Sequence, residues 1–144
     1  MKQINTSYLK QKQSIVKNIT MGWRSAFVIV PTDDDLKRAL EVVKAHNTHT
    51  GPDAGEELVQ LCVADVPRIK VSRSARLGTG ATVRVLIFGS GGGMWGRDGT
   101  WPWFSRAGFT MYSYSDKFKS TKLRDQISKE MRPIDDLNME LARL

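Results

Sequence analysis

The residue types best suited to binding chemistry are concentrated at positions 88–109, FGSGGGMWGRDGTWPWFSRAGF. Six of the twelve glycines lie between residues 89 and 99, and three of the four tryptophans are Trp95, Trp101 and Trp103. Glycine gives the backbone freedom to turn, and indole offers a large apolar face. The pattern predicts a Gly/Trp-rich loop that closes either over a ligand or over the protein's own core.

Two phosphate-binding patterns can be tested against these glycines. A P-loop is excluded because no Gly-Lys-Ser/Thr follows. The dinucleotide pattern G-x-G-x-x-G is present as Gly91, Gly93 and Gly96, but that fingerprint needs a helix to begin at its third glycine. The continuation, RDGTWP, contains glycine and proline and predicts no helix. One expectation is that Trp101, Trp103 and Phe104 fold back to cap the core. The other is that an aromatic ring of the loop stacks on a base, a sugar or a peptide.

Histidine and cysteine chemistry is not favoured by the sequence. His46 and His49 are the only histidines, and they fall where a helix is expected to end, an ordinary place for solvated imidazoles. We therefore expect neither a metal site nor a cofactor. Cys62 lies in the apolar run LVQLCV and is expected to be a buried, unreactive thiol. No nucleophile, base and orienting group can be assembled, so binding is favoured over catalysis, although acid or arginine chemistry stays open.

A second informative stretch is RIKVSRSARLGTGATVRV, residues 68–85. Basic side chains alternate with apolar ones on both sides of a Gly-Thr-Gly turn, which predicts a β-hairpin with a basic face and a basic tip. Such a ribbon can lie along a phosphate backbone. The candidate nucleic-acid-binding residues, cations for phosphate and indoles for stacking, are Arg68, Lys70, Arg73, Arg76, Arg84, Trp95, Arg97, Trp101 and Trp103.

Size and charge limit the class of protein. The 144 residues fit a single domain, 1–144, and carry a formal net charge of +7 with a pI near 9.8. Residues 1–30 hold five Lys/Arg and no acid, residues 31–66 three against eight acids, and residues 67–144 fourteen against seven. This polarity favours a phosphate-bearing or acidic partner. With no signal-peptide core and no apolar run long enough to span a membrane, a cytoplasmic location is expected.

The elements that must position these residues follow from periodicity. Residues 1–22 predict a basic amphipathic helix or arm, and residues 23–30 a central strand covered on both faces, because Ala26 to Val30 are all apolar. Thr32 and Asp35 form a capping box that begins a helix reaching about His46. Further strands are predicted at 56–66 and 108–114. Helices are predicted at 120–131 and at the C-terminus, the latter with an apolar stripe of Leu137, Leu141 and Leu144.

The predicted fold is α+β, with a mainly antiparallel sheet of four to five strands, helices packed on one face, and the Gly/Trp-rich loop between the last strands. The first functional hypothesis is binding of DNA or RNA through the basic hairpin and the aromatic loop. One alternative is an interaction or assembly protein that binds a host or virion protein component or forms a homo-oligomer. Another is an enzyme that holds a nucleotide or small ligand with the Gly-rich loop.

Overall fold

A five-stranded antiparallel sheet forms the centre of the molecule. The computed structural model describes residues 25–49, 51, 58–68, 81–90 and 101–144. The strands are β1 (Ala26–Ile29), β2 (Leu58–Pro67), β3 (Thr82–Ser90), β4 (Tyr112–Ser113) and β5 (Arg132–Pro133). They lie in the order β4-β1-β3-β2-β5, and each neighbouring pair is antiparallel.

Four helices accompany the sheet. They are α1 (Asp33–Thr48), α2 (Tyr114–Lys117), α3 (Thr121–Glu130) and α4 (Leu137–Arg143). Residues 101–106 are also helical. This arrangement confirms the predicted α+β class and the antiparallel sheet. No helix among the described residues is long and apolar enough to cross a lipid bilayer.

The apolar run in β1 has two buried faces, as its lack of alternation predicted. Ala26 and Val28 belong to an α1-side core that also contains Phe88, Phe104 and residues of α1. Phe27 points the other way, into an α3-side core with Cys62 and residues of α3. The prediction that the helices pack on one face is therefore wrong. The α3 helix covers the second face, because neighbouring residues of a central apolar strand point to opposite sides and both sides need cover.

The start of α1 is fixed by the predicted capping box. The Thr32 hydroxyl accepts a hydrogen bond from the Asp35 amide at 3.1 Å and donates one to the Asp35 carboxylate at 2.9 Å. Since the first amides of a helix have no partner within the helix, this reciprocal pair supplies one. Leu36, Ala39 and Val43 then point into the α1-side core at helical spacing.

The returning strand of the predicted hairpin, at Thr82 and Arg84, is part of β3 and pairs with β2, the strand predicted at 56–66, while the predicted outgoing strand beyond Arg68 lies outside the described residues. Strands β2 and β3 are antiparallel neighbours from Leu58 opposite Ser90 to Pro67 opposite Thr82, and the Arg68 amide donates to the Ala81 carbonyl at 3.2 Å. The basic tip, residues 69–80, lies outside the described residues. So do the N-terminal segment 1–24 and the glycines of the loop at residues 91–100.

The segment that follows the loop differs from the prediction. A helical turn occupies residues 101–106, although RDGTWP argued against helix. Pro102 falls in the first turn, where its missing N–H removes no helical hydrogen bond and its fixed φ suits the helix. The strand predicted at 108–114 is reduced to Tyr112 and Ser113, because α2 begins at Tyr114. Gly108 turns the chain between the helical turn at 101–106 and β4 with φ +87°, a conformation that favours glycine.

The last two helices match the prediction closely. The Ser120 side chain accepts from the Leu123 amide at the start of α3, and the Asp136 side chain accepts from two amides at the start of α4. Within the predicted C-terminal stripe, Leu137 and Leu141 pack on the α1-side core, while Leu144 is exposed.

Candidate nucleic-acid interface

Four of the nine candidate residues fall within the described part of the chain: Arg68, Arg84, Trp101 and Trp103. The other five, Lys70, Arg73, Arg76, Trp95 and Arg97, lie outside it, and their assignment stays a prediction.

Arg84 holds the end of β1 to the start of α1. Its Nε donates to the Val30 carbonyl at 2.9 Å, and its Nη1 lies 3.0 Å from the Asp33 carboxylate. Even-numbered residues of β3 point to the α1 side of the sheet, as Leu86 and Phe88 do. The arginine that the sequence assigned to phosphate therefore has a structural role that the sequence did not reveal.

Arg68 lies beside Arg84 in an open depression at this end of the sheet. Its Nη2 donates to the Thr82 carbonyl at 3.2 Å. The depression is lined by Pro31, Asp65, Arg68, Thr82, Val83 and Arg84. Because Asp65 is the register partner of Arg84 and Asp33 is its ion-pair partner, two carboxylates accompany the two guanidinium groups. A phosphate would meet little net positive charge in this depression.

The two described tryptophans sit on the helical turn 101–106. Trp101 is 44% exposed, and Trp103 is half-buried. Phe104, between them and the sheet, is fully buried and stacks on Phe88 with ring centroids 5.0 Å apart and planes 5° apart. Of the three rings that the sequence offered for capping the core, only Phe104 is fully committed to it.

Trp103 is held by rings from the end of α1. The imidazoles of His46 and His49 make edge contacts with the indole, at centroid distances of 5.7 and 5.0 Å. A side chain at Gly51 would meet the tip of the His49 imidazole, which would have to shift. The Arg106 guanidinium lies over the indole at 5.1 Å. Trp103 is thus fixed in orientation and adjoins a cation.

The depression at Arg84 and the indole of Trp103 lie at opposite ends of α1. Arg84 contacts the first helical residue, Asp33, and Trp103 contacts His46 in the last turn. At 1.5 Å per residue this places the two contacts roughly 20 Å apart along the helix. Among the described residues, the structure does not bring the predicted phosphate contacts and the predicted stacking rings together.

Two further cations stand over rings in the chain segment that follows Trp103, and the sequence analysis did not predict them. The Arg38 guanidinium lies 4.4 Å from the Phe109 ring centroid, and the Lys117 ammonium lies 5.2 Å from the Tyr112 ring centroid. We call the three pairs, Arg106 over Trp103, Arg38 over Phe109 and Lys117 over Tyr112, the cation–ring strip. Arg106 and Lys117 are close in sequence to the rings they contact, so the sequence could have suggested these two pairs. Arg38 is far from Phe109 in sequence, so nothing in the sequence pointed to that pair.

The strip is exposed on its cationic side. Arg106 and Lys117 are exposed, and the Arg38 side chain is 52% exposed. Arg38 also donates to the Ala107 carbonyl at 2.9 Å, which ties α1 to the turn before Gly108. Residues 101–132 carry seven Lys/Arg against three Asp/Glu, so the surroundings of the strip are basic. Phe109 is buried, whereas the rings of Trp103 and Tyr112 are partly exposed. Exposed cations beside partly exposed rings suit a ligand that bears both negative charge and aromatic groups.

One carboxylate of α1 adjoins the strip. Asp35 lies 3.2 Å from Arg38 Nη2. Burial acts to raise the pKa of Asp35, but hydrogen bonds from Thr32 and Arg38 outweigh it and hold the pKa below its ordinary value. Asp35 is therefore ionised at neutral pH and offsets part of the charge of Arg38.

Metal binding has no support from the described geometry. In the described ranges, no group of three or more His, Cys, Asp or Glu side chains is placed to hold a metal ion. The Cys62 thiol is buried in the α3-side core. Comparison with known protein families, curated proteins and solved structures finds no match to this chain. Its function has to be inferred from its own residues.

Proposed function

We propose that this protein binds nucleic acid, DNA or RNA, through the cation–ring strip and the neighbouring Trp101. The observation that carries the proposal is that an exposed cation stands over each of three rings that lie between residues 103 and 112, beside the exposed indole of Trp101. Phosphates would contact the cations, and bases would stack on the indoles. A cytoplasmic location, and nucleic acid rather than a protein as the partner, belong to this proposal.

The net charge of the chain supports the same reading. A formal charge of +7 attracts polyanions at long range, and each phosphate neutralised by a lysine or arginine releases counterion. Residues 69–80, for which the sequence predicts a hairpin tip, include further cations, which would add contacts if they also reach the ligand. The strip would provide the binding centre because its cations can contact phosphates while the exposed Trp101 ring beside it can stack on a base.

The proposal is tested by titrating fluorescently labelled oligonucleotides with the protein over a salt series. Binding should weaken steeply with salt, and Arg106→Ala should lower the affinity and reduce the log–log salt slope by about one. Trp101→Ala should lose roughly 1–3 kcal/mol of binding free energy while leaving the melting temperature nearly unchanged, because the ring is exposed.

Lys129→Ala provides the matched control. Lys129 is an exposed cation of α3 that has no ring beneath it among the described residues, and its loss changes the net charge by the same amount. It should affect binding less than Arg106→Ala does. Absence of binding to any oligonucleotide at low salt, or equal effects of the two variants, would refute the proposal.

A further inference from the structure

The strip crosses from one face of the sheet to the other. Phe109 packs in the α1-side core, where it meets the Phe104 ring at 6.0 Å. Tyr112 stacks on Phe27 at 5.3 Å and packs on the α3-side core. Only two residues, Thr110 and Met111, separate Phe109 from Tyr112 along the chain, so the two rings lie on opposite faces of the sheet where the chain enters β4.

The edge that the strip crosses is β4. Among the described strands this one is outermost; it is two residues long and pairs with β1 at Ala26 and Phe27. Arg38 and Arg106 stand on the α1 side of this edge, and Lys117 stands over Tyr112 on the α3 side. A ligand that contacts all three cations must therefore bend around the short edge strand.

The need to bend around this edge favours single-stranded over duplex nucleic acid. Duplex DNA has a persistence length of about 50 nm, so bending it sharply around the edge of one sheet would cost several kcal/mol. A single strand bends freely and presents unpaired bases that can stack on rings. Resting on the proposed function, we propose that the ligand is single-stranded nucleic acid that passes over the β4 edge, with Lys117 as its contact on the α3 side.

The neighbouring acids do not prevent this path. Asp35 is paired with Arg38 on the α1 side. Asp116, next to Lys117, is exposed, so its charge is screened by solvent. The chain that follows Lys117 also carries the exposed Lys119 and Lys122. A strand leaving Lys117 would continue over positive charge.

The experiment compares one sequence in three forms: single-stranded DNA, single-stranded RNA and the DNA duplex. An oligonucleotide of about 15 nucleotides is long enough to cover a single-strand binding site. Anisotropy titrations at matched salt should give single strands an affinity about tenfold or more above that of the duplex. Lys117→Ala should lower the single-strand affinity several-fold and leave the duplex affinity unchanged, with Lys129→Ala as the control for lost charge.

The outcomes separate this inference from the function on which it rests. If duplex and single strand bind equally, or if Lys117→Ala affects neither, the inference is wrong, while a loss of binding in Arg106→Ala would still uphold the proposed function. If no form binds, the proposed function itself fails. A preference for RNA over single-stranded DNA, or the reverse, supports the inference and identifies the sugar. Lys117 is exposed, and an unchanged melting temperature would show that the variant is folded.

Discussion

The carboxylate of Glu140 accepts two hydrogen bonds from the guanidinium of Arg132, at 2.7 and 3.1 Å. The Glu140 side chain is only 8% exposed, whereas that of Arg132 is 50% exposed. Arg132 belongs to β5 and Glu140 to α4, so this paired contact fastens the terminal helix to the edge of the sheet. Two parallel bonds from a planar guanidinium hold a carboxylate more firmly than a point charge could.

Arg132→Ala should destabilise the protein because it removes the two bonds and leaves a nearly buried carboxylate without its main partner. The expected loss in free energy of unfolding is about 1.5–3 kcal/mol. Arg143→Ala is the control: its guanidinium lies 3.9 Å from the same carboxylate and is 69% exposed, so its loss should cost well under about 1 kcal/mol. Urea denaturation of both variants measures the difference. Equal stabilities would contradict the assignment.

Arg84→Met tests the structural role of an arginine that the sequence assigned to phosphate binding. Methionine keeps an apolar stem but loses the bond to the Val30 carbonyl and the pair with Asp33, and stability should fall by about 1–3 kcal/mol. Asp33→Asn removes only the exposed partner and should cost less than about 1 kcal/mol. Thermal denaturation distinguishes the two variants. An Arg84→Met protein of unchanged stability but weakened oligonucleotide affinity would instead uphold the phosphate assignment.

Tyr114→Phe should leave stability at neutral pH unchanged or slightly higher. The Tyr114 hydroxyl is buried, and within the described ranges no residue hydrogen-bonds to it, so removing it relieves a desolvated polar group. Burial raises the pKa of the Tyr114 phenol above its ordinary value of 10.0; the Arg124 guanidinium opposes this shift and the Cys62 thiol adds to it. The folded state therefore keeps the proton that the unfolded state releases.

The sign of the pH dependence follows from that difference. The stability that Tyr114 contributes through its proton is fully present below about pH 10 and is lost as the pH rises further. Tyr114→Phe should lose less stability than the parent between about pH 9 and pH 11, since loss of charge on the lysines is common to both proteins. Denaturant titrations at several alkaline pH values give the comparison, and parallel curves for the two proteins would contradict it.

Local patterns predicted much of the fold. The capping box at Thr32 and Asp35, the apolar run from Ala26 to Val30 and the helical spacing around Ile127 each state a local preference that the structure keeps. The helical turn at 101–106 was missed because glycine and proline were weighed as helix breakers, without regard to where proline can stand in a helix.

The candidate site was harder to predict because it depends on contacts between distant parts of the chain. Periodicity places Arg38 on an exposed helix face but says nothing about Phe109, which the fold brings beneath it. Likewise, Arg84 looks like a surface cation of a hairpin until Val30 and Asp33 are seen to share its guanidinium. The sequence shows which cations and aromatic rings the chain contains. Which cation lies over which ring depends on how the strands and helices pack, and this becomes visible only in the structure.

The place of β1 in the sheet bears on the order in which the protein folds. Strands β2 and β3 meet across a connection of about 15 residues, from Pro67 to Thr82, whereas Ala26 pairs with Phe88 across about 60. Closing the larger loop costs more entropy, and contacts between distant residues slow folding. We expect the pairing of β2 with β3 to form first during folding. Strand β1 would then dock as the rate-limiting step, and burial of Phe27 and Val28 would mark the crossing of the barrier.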